Sequence, residues 1–194
     1  MRYVKGALLL ALACAVVLGA TACSDQTADA NKAIDAANTQ IKKYTASGAE
    51  LEKLMSEAEA LPMDAVNAKK GVTLTDQMTA KLEEQRTAAE TAKAEISKIK
   101  AMKVNEKFKT YADKEIAVTE ALLKEDPVAK ALIGDLRKIY ELVASGKGTQ
   151  KDVEEIGKRI DVETKQLTDL EAKATALEKE ASDYFDSQKL GSSK

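Results

Sequence analysis

Three glutamates stand where an apolar side chain is expected. Glu115, Glu125 and Glu163 occupy the same repeating positions as the leucines, valines and alanines on either side of them. Inward carboxylates on helices suggest two chemistries. In di-metal bundles they ligate ions alongside Glu-x-x-His pairs, and in glycoside hydrolysis a close pair shares acid and nucleophile roles. The chain has no histidine, which takes away the partner ligand of the first and the usual group for acid–base work near neutral pH. Antiparallel helices also set the three glutamates at different heights, away from any common ion and from one another. They read as polar seam residues that fix register or turn to solvent. No metal or other cofactor is expected.

The serines lie at caps, turns and the C-terminal end, with no histidine to activate them. Ser145-Gly146-Lys147-Gly148 lacks the Gly-x-x-x-x-Gly-Lys framework of a phosphate loop. No convergent set of catalytic groups emerges, so the chain is not expected to be an enzyme.

Another reactive side chain is Cys23. Residues 1–22 carry Arg2 and Lys5, then an apolar run from Ala7 to Ala20, then small residues, which is the layout of a secretory signal. The apolar run is shorter than the ~20 residues that a spanning helix needs. Ala20-Thr21-Ala22-Cys23 resembles the lipobox of bacterial lipoproteins, with Ala20 where Leu is usual. The resemblance covers this segment alone. It implies that the Cys23 thiol is acylated with diacylglycerol (fatty acids of the palmitate type), that the signal is cut between Ala22 and Cys23, and that Cys23 becomes the N-terminus. Ordinary signal cleavage near Ala22 and an uncleaved anchor are the alternatives. Cys14 lies within the apolar run and would be discarded, so no disulfide is expected. Ser24 rather than Asp after the cysteine favours the outer membrane, where one exists, over retention at the inner one. In a cell with one membrane the protein would sit on its outer face.

What must position these groups is helical. Of 194 residues, 44% are hydrophobic and 32% charged, with nine Gly and two Pro, a bias toward long helices. Lys+Arg total 30 against Asp+Glu 32 and alternate along the chain, so no basic face for nucleic acid forms. Apolar residues recur at alternating steps of three and four. The first seam runs Ile34, Ala37, Ile41, Tyr44, Gly48, Leu51, Met55, Ala58, and the second runs from Met78 through Leu82, Gln85 and Ala89 to Ile99. The third keeps one phase from Val104 to Val143, straight across Pro127, which argues for one helix kinked there rather than two short ones. The fourth runs from Val153 to Tyr184.

The expected fold is therefore all-α: an elongated antiparallel up-down-up-down four-helix bundle over residues 31–186, with helices at about 28–61, 73–101, 105–145 and 149–186. Residues 23–30 read as an anchored linker, 62–72 as the first turn and 187–194 as a disordered tail. Phe108, Tyr111 and Tyr184 should gather at the end away from the 145–148 turn, as core. Function is expected to be non-catalytic: a lipid-anchored, extracytoplasmic interaction or scaffold module facing another protein of the bacterial envelope. The alternative is a bundle that binds a small solute between its helices and passes it to a membrane partner, with Gly48, Gln85 and the seam alanines leaving room.

Overall fold

The computed structural model describes residues 26–190. Four long helices carry the chain: α1, Thr27–Glu59; α2, Ala65–Ser97; α3, Glu106–Ser145; and α4, Gln150–Ser187. A short 3-10 turn, Lys98–Ala101, follows α2. Consecutive helices pack side by side and antiparallel, and no strand occurs among the described residues. At about 1.5 Å per residue the longest helix spans some 60 Å, so the bundle is elongated. One end holds residue 26, the 98–105 turn and residue 190; the far end holds the other two turns.

Ends are set by specific caps. Asn105 accepts from the Lys107 N–H at the start of α3. Thr149 and Asp152 exchange side-chain and backbone bonds in a full capping box at the start of α4. Gly146 takes the left-handed conformation, φ 63°, that ends α3.

α3 continues through Pro127 as one helix, as its unbroken seam requires. Proline removes the N–H that would reach the Leu123 carbonyl. Pro127 lies on the exposed face.

Three boundaries differ from expectation. α2 begins at Ala65, not 73, because Asp64 caps it by accepting from the Val66 and Asn67 N–H groups at 3.0 and 2.9 Å. Gly71 is thus a packing glycine inside the helix, where a Cβ would lie 2.4 Å from the Tyr140 ring. The segment 23–30 is not all linker, since α1 starts at Thr27 and Ala30 is fully buried. Residues 187–190, expected in a disordered tail, are ordered. There the Leu190 N–H reaches the Phe185 carbonyl and the Lys189 N–H reaches that of Asp186, with Lys189 at φ 52°. This pairing closes a Schellman motif, and it folds Leu190 back into the core.

The interior divides in two. Near the end that holds the termini, Ile34, Ile41, Ile96, Phe108, Tyr111 and Leu122 form one cluster with Ala174, Ala181 and Leu190. Tyr111 meets Phe185 there at 5.0 Å, and Tyr184 packs against the same cluster. Toward the far end, Ala58, Ala68, Leu74, Met78, Leu82, Ile133 and Tyr140 form a second. α4 contributes buried residues to the first cluster only. Its backbone stays close to α3 and makes little contact with α1.

Candidate functional site

Between the two clusters lies a cavity of about 340 Å³, walled by all four helices. Its origin is a shortage of side-chain volume. At this level the seams carry Gly48, Ala89, Ala129 and Ala174, all of which line it. The apolar wall comes from Leu51, Leu82, Leu122, Leu123 and Leu167. Because α1 and α4 stay apart, the fourth wall is made by side chains alone, including Thr45 and Glu52 from α1 and Leu167 and Glu171 from α4. The volume falls at the lower end of small-molecule sites, about 300–1,000 Å³.

Polar groups converge on this wall. The Tyr44 hydroxyl donates to Glu125 Oε2 at 3.1 Å, bridging α1 and α3. Glu125 Oε1 is shut off from solvent and has no hydrogen-bond partner. Burial pushes the Glu125 carboxyl up to about 7, the Tyr44 bond pulling back and nearby Glu171 adding to the rise. Burial and then the Glu125 charge raise the Tyr44 hydroxyl well above its usual range. Glu171 is also raised, by burial first and then by Glu52. Gln85, itself buried, donates from Nε2 to the Tyr44 carbonyl at 3.4 Å. It fits only because residue 48 is glycine, where a Cβ would stand 2.8 Å from that nitrogen. Arg86 is the one basic residue in the lining, and it is committed to Glu90 at 3.0 Å.

The three seam glutamates occupy separate surroundings. Glu115 sits by Tyr111 and Glu178 in the first cluster's half, raised chiefly by burial. Glu125 lines the cavity. Glu163, with Oε2 unpartnered, lies toward the far end near Asp135 and Arg159 and is raised by burial. Among the described residues no group of three or more His, Cys, Asp or Glu could hold a metal ion. Gly48, Gln85, Ala89 and Ala174 all reach the cavity; the seam alanines Ala92 and Ala181 pack instead in the first cluster.

Some of the polar groups here could not be picked out from the seams. Glu171 and Glu178 lie one place off the α4 seam, yet both are half-buried. Asp135 is buried and accepts from Arg159 Nε at 2.6 Å, Arg159 Nη2 at 3.1 Å and Lys138 Nζ at 2.8 Å. It joins α3 to the far half of α4.

Ala22 and Cys23 lie outside the described residues, as does all of 1–22. Gln26, three residues on from Cys23, is held to the 98–105 turn: its N–H donates to the Lys103 carbonyl at 3.1 Å, and its Oε1 accepts from the Lys103 N–H at 2.7 Å. No helix among the described residues is long and apolar enough to cross a membrane.

No known protein family, curated protein sequence or solved structure matches the chain.

Proposed function

We propose that the protein is a lipid-anchored, extracytoplasmic bundle of the bacterial envelope that binds a small amphiphilic solute between its helices and has no catalytic role. The observation that carries the binding reading is the cavity at mid-height. A helical bundle gains most by filling its interior to crystal-like density, and this one leaves a ligand-sized space beside a carboxylate with an unmatched oxygen. The lipid half rests on the lipobox-like segment ending at Cys23. Gln26, which follows Cys23 by three residues in the sequence, is bonded to Lys103 at one end of the rod, and this agrees with an anchor at that end. With acyl chains on Cys23, that end would rest on the membrane surface. Tyr44, eighteen residues along α1 from Gln26, would then stand about 27 Å above it. A solute taken up at that height could be offered to a membrane partner through the gap between α1 and α4.

Two measurements test the two halves. Mass spectrometry of the mature N-terminal peptide should find Cys23 diacylated, and Cys23→Ala should abolish partitioning into detergent; an unmodified Cys23 ends the lipid half. A thermal-shift screen of envelope solutes should find ligands that raise Tm, since one present at 100 times its Kd adds about 2.7 kcal/mol. A broad panel with no shift would leave the scaffold reading, in which the charge-mixed outer surface engages another envelope protein.

A further inference from the structure

We propose that the mid-bundle cavity takes an organic monocation with a short hydrocarbon body, its ammonium head against the Glu125 carboxylate and its body against Leu51, Leu82 and Leu122. This rests on the binding reading above and names the chemistry of the occupant. Charge complementarity decides it. The charged residues of the lining are Glu52, Glu125, Asp126 and Glu171 against Arg86 alone, and Arg86 is already paired with Glu90. An anion would enter against that field and find no free cation to meet it. A neutral solute would bury its apolar part equally well, and a hydroxyl on it could donate to Glu125 Oε1, but it would bring no charge to set against the carboxylates.

An ammonium group supplies the missing donor and a charge of the right sign. Glu125 lines the cavity with Oε2 bonded to the Tyr44 hydroxyl, and an ammonium would reach Oε1, shut off from solvent in the empty site, only if the carboxylate turned toward it. A charged donor also suits the proton balance of the site. Burial holds a proton on Glu125 up to about pH 7, and a cation beside it favours the ionised form. Binding should therefore displace that proton and strengthen as pH rises through 7. The groups facing Glu125 from the packed elements are Tyr44 and Glu52 of α1, Arg86 of α2 and Glu171 of α4, with Asp126 on its own helix. Among the carboxyls of this group, Glu171 is also shifted upward, by burial and by Glu52, so it adds to the pH dependence in the same direction.

The test uses the full chain in nanodiscs of zwitterionic lipid, with empty nanodiscs subtracted. Calorimetric titration at pH 8 compares hexylammonium, hexan-1-ol and hexanoate, which share one chain and differ in charge. Hexylammonium should bind at least about tenfold tighter than hexan-1-ol, with hexanoate weakest, and its advantage should shrink several-fold at pH 6 while hexan-1-ol is unchanged. Glu125→Gln should bring hexylammonium down to the level of hexan-1-ol and leave hexan-1-ol where it was, in a variant whose far-UV circular dichroism matches the parent. If hexan-1-ol or hexanoate equals the cation, or Glu125→Gln leaves its advantage intact, the cation assignment is overturned and the cavity remains a binding site. If none of the three binds, the binding reading itself falls.

Discussion

Replacing Glu125 by Gln removes a charge that the fold holds at a cost, and the size of that cost follows from its surroundings. Burial raises the carboxyl from an ordinary 4.5 to about 7. Below pH 4.5 both native and unfolded chains carry the proton, and the group's contribution to stability is complete. Between 4.5 and 7 the unfolded chain releases the proton while the native one retains it, so stability falls as pH rises. Above 7 the loss is finished. A rise of about 2.5 units corresponds to roughly 3 kcal/mol at 1.36 kcal/mol per unit. Glutamine keeps an acceptor for the Tyr44 hydroxyl and cannot ionise. Urea unfolding of both proteins at pH 5 and pH 8 isolates the effect, because carboxylates shifted elsewhere, upward at Glu115 and downward at Asp64 and Glu84, largely cancel in the difference. The variant should match the parent within about 1 kcal/mol at pH 5 and exceed it by roughly 2–3 kcal/mol at pH 8. A difference that is the same at both pH values would refute the reasoning.

Further substitutions probe the packing. Gly71→Ala drives a methyl into the Tyr140 ring and should cost about 1–3 kcal/mol in denaturant unfolding. Gly134→Ala, in a helix with nothing within 4 Å of the new Cβ, should instead stabilise by about 0.5–1 kcal/mol. Leu190→Ala strips the apolar contact from the Schellman turn and should lower Tm at a cost of about 2–3 kcal/mol, while Lys189→Gly, relieving the left-handed φ, should raise Tm. Asp135→Ala breaks the tie between α3 and α4 but leaves Arg159 and Lys138, each half-exposed or more, to water, and should cost about 1–2 kcal/mol. Asp135→Leu combined with Arg159→Leu should recover most of that loss in a double-mutant cycle.

The seams made the four helices legible, for a reason visible at Pro127. A heptad phase records which face must be buried over thirty or forty residues, and one exposed proline does not alter it. Local chemistry was harder to read. The Gly71 side of the first turn looked like a break because glycine usually marks one, whereas here its lack of a Cβ admits Tyr140 from a helix almost seventy residues away in sequence. Leu190 looked like part of a polar end because its partner is the backbone of the preceding turn and a core built by other helices.

The site was hidden for a deeper reason. Periodicity says which positions face inward, but it does not compare the volumes that meet there. Gly48 on α1, Ala89 on α2, Ala129 on α3 and Ala174 on α4 are each unremarkable in their own seams. Only the register of four antiparallel helices brings them to one level, where their combined shortfall opens the cavity. The same register sets Tyr44 against Glu125, eighty-one residues later, and turns an apparently misplaced glutamate into half of a bridge. A pattern of a few small residues per seam is thus ambiguous between close helix approach and empty space. At Ala92 and Ala181 the small residues lie within a filled core, and at Ala89 and Ala174 they border a void. The difference lies in the opposing side chains: Ile96, Phe108 and Tyr111 fill the first level, while Gly48 and Ala129 face the second. Where small meets large the bundle closes, and where small meets small it leaves room for something else.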